Sequence, residues 1–493
     1  MATAPTAPAV SGPAADETVP GQRPADHRAA DERAAAREDT APVVLDALGP
    51  AGPYRTHGRQ DVTDVTGAVI AEMSLAPALF VNRAMKALHA ATPLPAGERA
   101  AALARAAELF RSATLGGLTP GQYEQAVSRV SGLPISVVRT ATETCAARVG
   151  QSYRSVQLAR PSGAAPDWRD PLARTGQAVW TRRGEVLAVH VPGNHPGTHG
   201  FWPEALALGY RVAVRPAARE PFTAHRLVHA LREAGFGDDH VVLLPSGHQA
   251  ADAIVRGADL AYGGDEVIRG YADDPAVLSL QPGRSKILVT AETDWRDHLD
   301  MIIDSVTRHA GSGCVNATGL LVEGDPAPLA GAVAERLAAL PSLPPHDERA
   351  CLPVQNLKAA RALERFVLDR ARGTRAWLGG TGFVDDLGDG SAVLRPAVHQ
   401  AESADAPQIG VEVPFPCVWV APWSREDGVE PLRDTLVLTV VTRDEELVDA
   451  LVAEPTISNL HIGDHPTHWH RPGLPHDGYL GEFLMRSKTV YHR

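Results

Sequence analysis

One cysteine in this chain has neighbours that suit covalent chemistry. The run Gly311-Ser312-Gly313-Cys314-Val315-Asn316 leads directly into the apolar stretch 319–322. A sulfur placed between a glycine turn and a buried strand is held in a cleft with backbone amides close by. Thiolates are strong nucleophiles, and amides or a helix end stabilise the ionised form. The plainer reading is a small buried hydrophobe, which most free cysteines are. Cys145, Cys351 and Cys417 lack the glycine context and read as structural. Four cysteines so scattered build neither a disulfide framework nor a Cys-rich metal site, and they fit a reduced, cytoplasmic setting. His461, His465, His468, His470 and His476 form the other chemical cluster. Their spacing offers nitrogen ligands to zinc or nickel. Pro466, Pro472 and Gly473 break that segment and no thiolate lies near, so no metal is expected.

The elements that must position these groups alternate in type. Residues 186–191, 212–214, 241–244, 258–262, 277–280 and 287–290 read as short buried strands. Between the second and third lies a helix with Leu227, Val228 and Leu231 on one face, Thr223 as its cap and Gly235 just past its end. A further helical face over 299–306 ends at Gly311, and segments 79–90 and 95–110 show helical spacing upstream. Alternating strands and helices predict an α/β fold of mostly parallel sheets, covered on both faces. In such sheets a ligand crevice lies beyond the carboxyl ends of the strands. Pro192-Gly193-Asn194, Arg215-Pro216 and Gly263-Gly264 fall there. Each turn alone reads as structural, and neither the usual dinucleotide fingerprint nor the phosphate-loop motif occurs.

The 493 residues are 44% hydrophobic and carry a formal charge of −12, enough for a large core divided into about three domains. That acidity excludes a nonspecific grip on nucleic acid, which needs a dense basic face. No apolar run approaches the roughly 20 residues of a spanning helix, and no secretory signal opens the chain. A soluble protein with no membrane insertion is expected. Residues 1–50 hold 14 Ala and 7 Pro and no aromatic residue, so most of this stretch is expected to be disordered.

Taken in order, Val191-Pro192-Gly193-Asn194-His195-Pro196, residues 205–216, 258–267 and 311–314 resemble the aldehyde dehydrogenase superfamily. Glu412-Val413-Pro414-Phe415-Pro416 resembles the family's glutamate-and-proline segment, and the strand 436–441, Asn459 and Ser487-Lys488-Thr489-Val490 follow in the expected order. The likeness runs from about residue 60 to the C-terminus. It implies two parallel-sheet α/β domains with a small oligomerisation extension. The dinucleotide-binding domain would span 51–291, with 151–176 given to the extension. The catalytic domain would span 292–455, and a return segment with the C-terminal oligomerisation strand would span 456–493. Homodimers or homotetramers follow from the same resemblance. It makes Cys314 the nucleophile and gives Asn194, with the backbone amide of Cys314, to the oxyanion. Glu412 would hold the nicotinamide ribose, and Gly263 and Val267 the phosphate and nicotinamide region. Val191, Pro192, Gly193, Arg215, Ala218 and Arg219 would complete the cofactor contacts.

Two departures from the family pattern narrow the expectation. Hydrolytic members carry a glutamate just before a Gly-Gly-Lys turn, where it activates the water that frees the acid. The matching stretch is Ser279-Leu280-Gln281-Pro282-Gly283-Arg284-Ser285, with Leu280 in the glutamate's place. Leucine takes no proton, so water should attack the acyl-enzyme slowly while a thiol still exchanges with it. This predicts an acyl-thioester reductase interconverting an aldehyde with an acyl group on coenzyme A or an acyl carrier protein. The Pro-Gly-Arg-Ser wording resembles that acyl-CoA reductase branch. Two alternatives stand beside it. One is a hydrolytic aldehyde dehydrogenase whose base comes from elsewhere, such as His309 or the histidines near the end. The other is a degenerate member kept as a scaffold. The second departure puts Arg215 where the family has lysine, and Ala218 where a glutamate favours NAD, with Arg219 next. Loss of the carboxylate and gain of arginine predict NADP(H), with NAD(H) as the alternative.

Overall fold

The computed structural model describes residues 42–471 and 473–491. Most of the expected N-terminal extension lies outside these residues, and from Val43 the chain is already in strands, Val43–Leu45 and Ala47–Gly49.

A strand β1 (Ala178–Arg182) precedes a first large sheet built from β2 (Val186–His190), β3 (Arg211–Arg215), β4 (Val241–Leu243), β5 (Leu260–Gly263) and β6 (Val277–Ser279). Their order is β6-β5-β2-β3-β4, all parallel, and Ala47–Gly49 and Gly52–Tyr54 extend the β4 edge antiparallel. All five residues of β2 are buried. Successive side chains leave opposite faces of a strand. Leu187 and Val189 therefore join the core on one face, and Val186 and Ala188 the core on the other. Helices cover both: α1 (Ala96–Ser112), α2 (Ile135–Leu158) and α3 (Phe222–Glu233) one face, α4 (His248–Gly257) the other. Along α2 the buried positions Val138, Thr142, Cys145, Val149, Ser152 and Val156 keep the spacing of a single helical stripe.

A second seven-stranded sheet comprises β7 (Ser285–Val289), β8 (Ala317–Glu323), β9 (Ala397–Gln400), β10 (Cys417–Trp423), β11 (Thr435–Val441) and β12 (Ile457–Ile462). The order is β9-β10-β8-β7-β11-β12, parallel throughout, with Arg375–Leu378 antiparallel on the β9 edge. Helix α5 (Leu299–Thr307) links β7 to β8. One of three small three-stranded sheets joins the last strand, β13 (Met485–Lys488), antiparallel to β1, with Ala164–Ala165 on the far side. The expected α/β architecture of two parallel sheets and a small extension is therefore present. Among the described residues no helix is long and apolar enough to cross a membrane.

One local expectation fails. Thr223 does not cap α3; it lies inside the helix, its hydroxyl turned to Tyr123 at 3.0 Å. The carboxylate of Glu220 accepts the Thr223 N–H at 2.9 Å instead. A carboxylate suits the positive end of a helix, and burial against the upstream helices removes the hydroxyl from that task.

Candidate active site

The approach to Cys314 is a conformationally demanding turn. After α5, His309, Ala310 and Gly311 take φ of 55°, 57° and 67°. Glycine adopts this region freely, whereas the two other residues cost roughly 1–2 kcal/mol each. Asn316, only 2% exposed, over-determines the turn. Its Nδ2 donates to the carbonyls of Arg308 (2.7 Å) and Ser305 (3.0 Å), and its Oδ1 accepts the Gly313 N–H at 2.9 Å. Cys314 then emerges half-buried just before β8.

Behind it lies the turn 283–285. Ser285 Oγ donates to the Cys314 carbonyl at 2.9 Å, and a Cβ on Gly283 would fall 1.9 Å from that same oxygen. The Glu412 carboxylate accepts the Arg284 N–H at 3.0 Å on the turn's other side. Burial raises the Glu412 pKa, with the Arg284 and Gly283 amides pulling against it.

In front, Cys314 and Asn194 line one cleft of about 830 Å³ together with His195, His309, His470 and His476. Asn194 Nδ2 donates to the Ser312 carbonyl at 3.4 Å, two residues from the sulfur. His476 Nε2 stands 3.5 Å from Cys314 Sγ, and its Nδ1 is 3.4 Å from the Asp477 carboxylate. Asn459, on β12, donates to the Leu436 carbonyl at 2.9 Å and also to the His476 carbonyl, pinning the loop to the sheet. Burial works against a charge on His476, yet the Cys314 sulfur and the Asp477 carboxylate push its pKa up to about 10. His195 lies in the opposite regime, pulled down to about 4 by burial and by Arg148. His461 and His468 line this cleft as well; His468 turns to Asp304 at 3.3 Å, and His461 and His465 pack against Trp469. Among the described residues no three His, Cys, Asp or Glu side chains converge as a metal set. Cys145 and Cys417 are buried, and burial pushes each thiol up to about 12.

The cofactor positions lie along the carboxyl edge of the first sheet. From β2 the chain passes to β3 and β4 on one side, while β5 and β6 lie on the other, so a crevice opens between the ends of β2 and β5. Gly263 pairs with His190 there, and a Cβ on Gly263 would meet the His190 carbonyl at 2.1 Å. Gly193 also packs closely on the turn after β3, where a Cβ would lie 2.7 Å from the Ala217 Cβ. Pro192 flanks Gly264. Arg215 is bound to the Asp265 carboxylate and to the Ser246 carbonyl (3.2 Å). Burial opposes ionisation of Asp265, but His190 at 3.0 Å and Arg215 hold its pKa below the ordinary carboxylate value. Ala218 and Arg219 are exposed on the turn beyond β3. Val191 and Val267 are buried in the two cores. His190 Nε2, Ser246 Oγ and Ser279 Oγ, near the ends of β2, β4 and β6, are buried without a hydrogen-bond partner. Unsatisfied polar atoms spread across neighbouring strand ends suit a polar ligand laid along that edge. A nicotinamide dinucleotide fits.

The structure thus brings Cys314 and Asn194 into one cleft and sets Glu412 behind the turn that supports Cys314. Asn316, Gly283 and Ser285 were in quoted motifs without a role, and proximity supplies one. His476 was legible only as one of a cluster.

Residues 55–481 match the model of the aldehyde dehydrogenase family. An N-succinylglutamate 5-semialdehyde dehydrogenase of Caulobacter vibrioides is 26% identical over 275 residues, 52% of this chain and 56% of that protein. Its counterpart in Yersinia pseudotuberculosis is 28% identical over 252 residues, 48% of each chain. The chain spans about half the length of these curated relatives. Among solved structures, a Thermus thermophilus 1-pyrroline-5-carboxylate dehydrogenase superposes with TM-score 0.75 at 18% identity, covering 97% of this chain and 99% of that one. A P. syringae indole-3-acetaldehyde dehydrogenase superposes with TM-score 0.77 at 16% identity, covering 93% and 98%. These findings correct the expected acyl-thioester reductase, on coenzyme A or a carrier protein, because the relatives are dehydrogenases of semialdehydes and aldehydes. The inference from Leu280 failed for a physical reason. Loss of one carboxylate removes one base, and Leu280 packs beside Gly264 without bearing on bases elsewhere in the cleft.

Proposed function

The chain belongs to the aldehyde dehydrogenase family, and from that premise we propose that it oxidises an aldehyde to the carboxylic acid, with Cys314 as nucleophile and a nicotinamide dinucleotide as oxidant. The observation that carries this reading is the opening of Cys314 and Asn194 on one cleft, with the sulfur 3.5 Å from His476 Nε2. With its proton held on His476, the sulfur attacks the aldehyde carbon and makes it tetrahedral. Asn194 exchanges its long bond to the Ser312 carbonyl for one from its amide to the developing oxyanion. When bound, the dinucleotide supplies the hydride acceptor. Pro192, Gly193, Gly263 and Glu412 would hold it, with Val191 and Val267 supporting from the cores. The acyl group left on Cys314 is released by water as the acid.

The same reading extends to cofactor choice and assembly. Ala218 presents no carboxylate to a 2′-phosphate, and the exposed Arg219 has the Ser131 carbonyl at 3.5 Å as a weak partner. These features favour NADP, with Arg219 rather than the Asp265-bound Arg215 as the phosphate contact. The exposed strand β13 at the edge of the small sheet supports a homodimer or homotetramer, since an open edge invites pairing. The test is purified protein given a panel of aldehydes with NAD+ or NADP+. Acid and reduced cofactor should appear, with lower KM for NADP+, and Cys314→Ser should abolish both. Absence of reduced cofactor across the panel would sink the reading.

A further inference from the structure

Resting on that reading, we propose that His476 is the base of the hydrolytic half-reaction: its Nε2 takes the proton of the water that attacks the acyl group on Cys314. Leu280 leaves the family's carboxylate position without a base, and His476 Nε2 is the side-chain nitrogen within 3.5 Å of the sulfur. Its ring is oriented from behind by Asp477 at 3.4 Å and braced by the edge of Phe201, centroid to centroid 4.9 Å. Its main chain is tied to β12 through Asn459. Two cavities meet at this imidazole. One holds Cys314 and Asn194; the other, about 890 Å³, is lined by Arg148, Glu204, Tyr262 and Asp477. The charged lining of the second cavity gives water a route past His476 into the cleft that holds the sulfur. Glu204, whose carboxyl burial raises to about 7, lines only the second cavity.

The proton count closes. As the sulfur attacks the aldehyde carbon its proton passes to His476 Nε2, 3.5 Å away. Sulfur attack and loss of hydride leave a neutral acyl-Cys314 thioester. The imidazolium, left with Asp477 alone opposite it, gives that proton to solvent. Neutral Nε2 then removes a proton from water as the oxygen bonds to the acyl carbon. Collapse breaks the C–S bond, expels the thiolate beside the new imidazolium, and frees the carboxylic acid, which ionises. The groups facing His476 are Cys314, Asp477, Arg148 and His470, with Glu204 and Tyr262 across the second cavity.

The test uses the full chain without cofactor. Cys314 is acylated with p-nitrophenyl acetate, and intact mass follows loss of the acetyl group. Wild type should turn over, while His476→Gln and His476→Ala should retain the acetyl group at least 100-fold longer. Asp477→Asn should slow release by a smaller factor. Imidazole added to His476→Ala should restore release, which a merely structural role would not allow. Thermal melting of each variant checks that it folds. Release from His476→Gln within threefold of wild type would overturn the proposal. So would retention in Glu204→Gln with normal release in His476→Gln, or failure of wild-type Cys314 to accept the acetyl group. Because no aldehyde or dinucleotide enters this assay, its outcome is separable from failure of the aldehyde-oxidation reading.

Discussion

Asn194 donates at 3.4 Å to the Ser312 carbonyl, a long bond that is easily exchanged for a stronger one to an oxyanion. Asn194→Ala should therefore lower kcat by about 10²–10³ with KM little changed, measured by steady-state production of reduced cofactor. A rise in KM at constant kcat would instead make Asn194 a substrate-binding group. At this scale the sequence was informative where local context carries the chemistry. Cys314 follows two glycines, and Asn194 sits at the end of an apolar strand. His476 was not separable from its four neighbours, because its partner lies 162 residues away and a loop brings them together. The partner of Arg215 was hidden in a similar way. The arginine's phosphate-binding geometry is engaged by Asp265, 50 residues downstream, through a contact that no local spacing reports.

The turn 283–285 couples two elements that never touch in sequence. It is wedged between the Cys314 main chain and the Glu412 carboxylate, with no room for a side chain at Gly283. Gly283→Ala should displace the turn, since a Cβ at 1.9 Å from a carbonyl oxygen is prohibitive. We expect loss of most dehydrogenase activity together with slower alkylation of Cys314 by iodoacetamide. Unchanged alkylation would show that the turn does not position the sulfur. The apolar stretches 186–189, 287–289 and 436–438 of β2, β7 and β11 were legible because they are buried on both faces. The α3 cap was not, since Glu220 and Thr223 each suit a helix start and only tertiary burial decides between them.

Across the whole molecule, buried histidines set the acid limit of stability. His195, His199 and His225 are held near 4, 3 and 3 by burial, whereas an unfolded imidazole titrates near 6.5. Between those values the unfolded chain binds protons that the folded chain refuses, so stability falls as pH drops below about 6.5. His476 acts with the opposite sign. Its raised value near 10 gives a contribution complete below about 6.5 and lost as pH rises toward 10. Melting temperature scanned from pH 5 to 10 should fall on both sides of neutrality. His476→Gln should flatten the alkaline limb alone; an unchanged alkaline limb would show that the pair contributes nothing to folding.

The fold-class expectation survived at this scale because parallel α/β units declare themselves by repetition along the chain. The placement of the C-terminal loop did not declare itself, and it has a consequence for how the protein comes to life on the ribosome. The sulfur leaves the exit tunnel first, and the imidazole that partners it follows 162 residues later. At ordinary elongation rates that interval is on the order of 8–30 s. Throughout it the nascent chain carries the cysteine with its cleft unfinished and its imidazole partner absent.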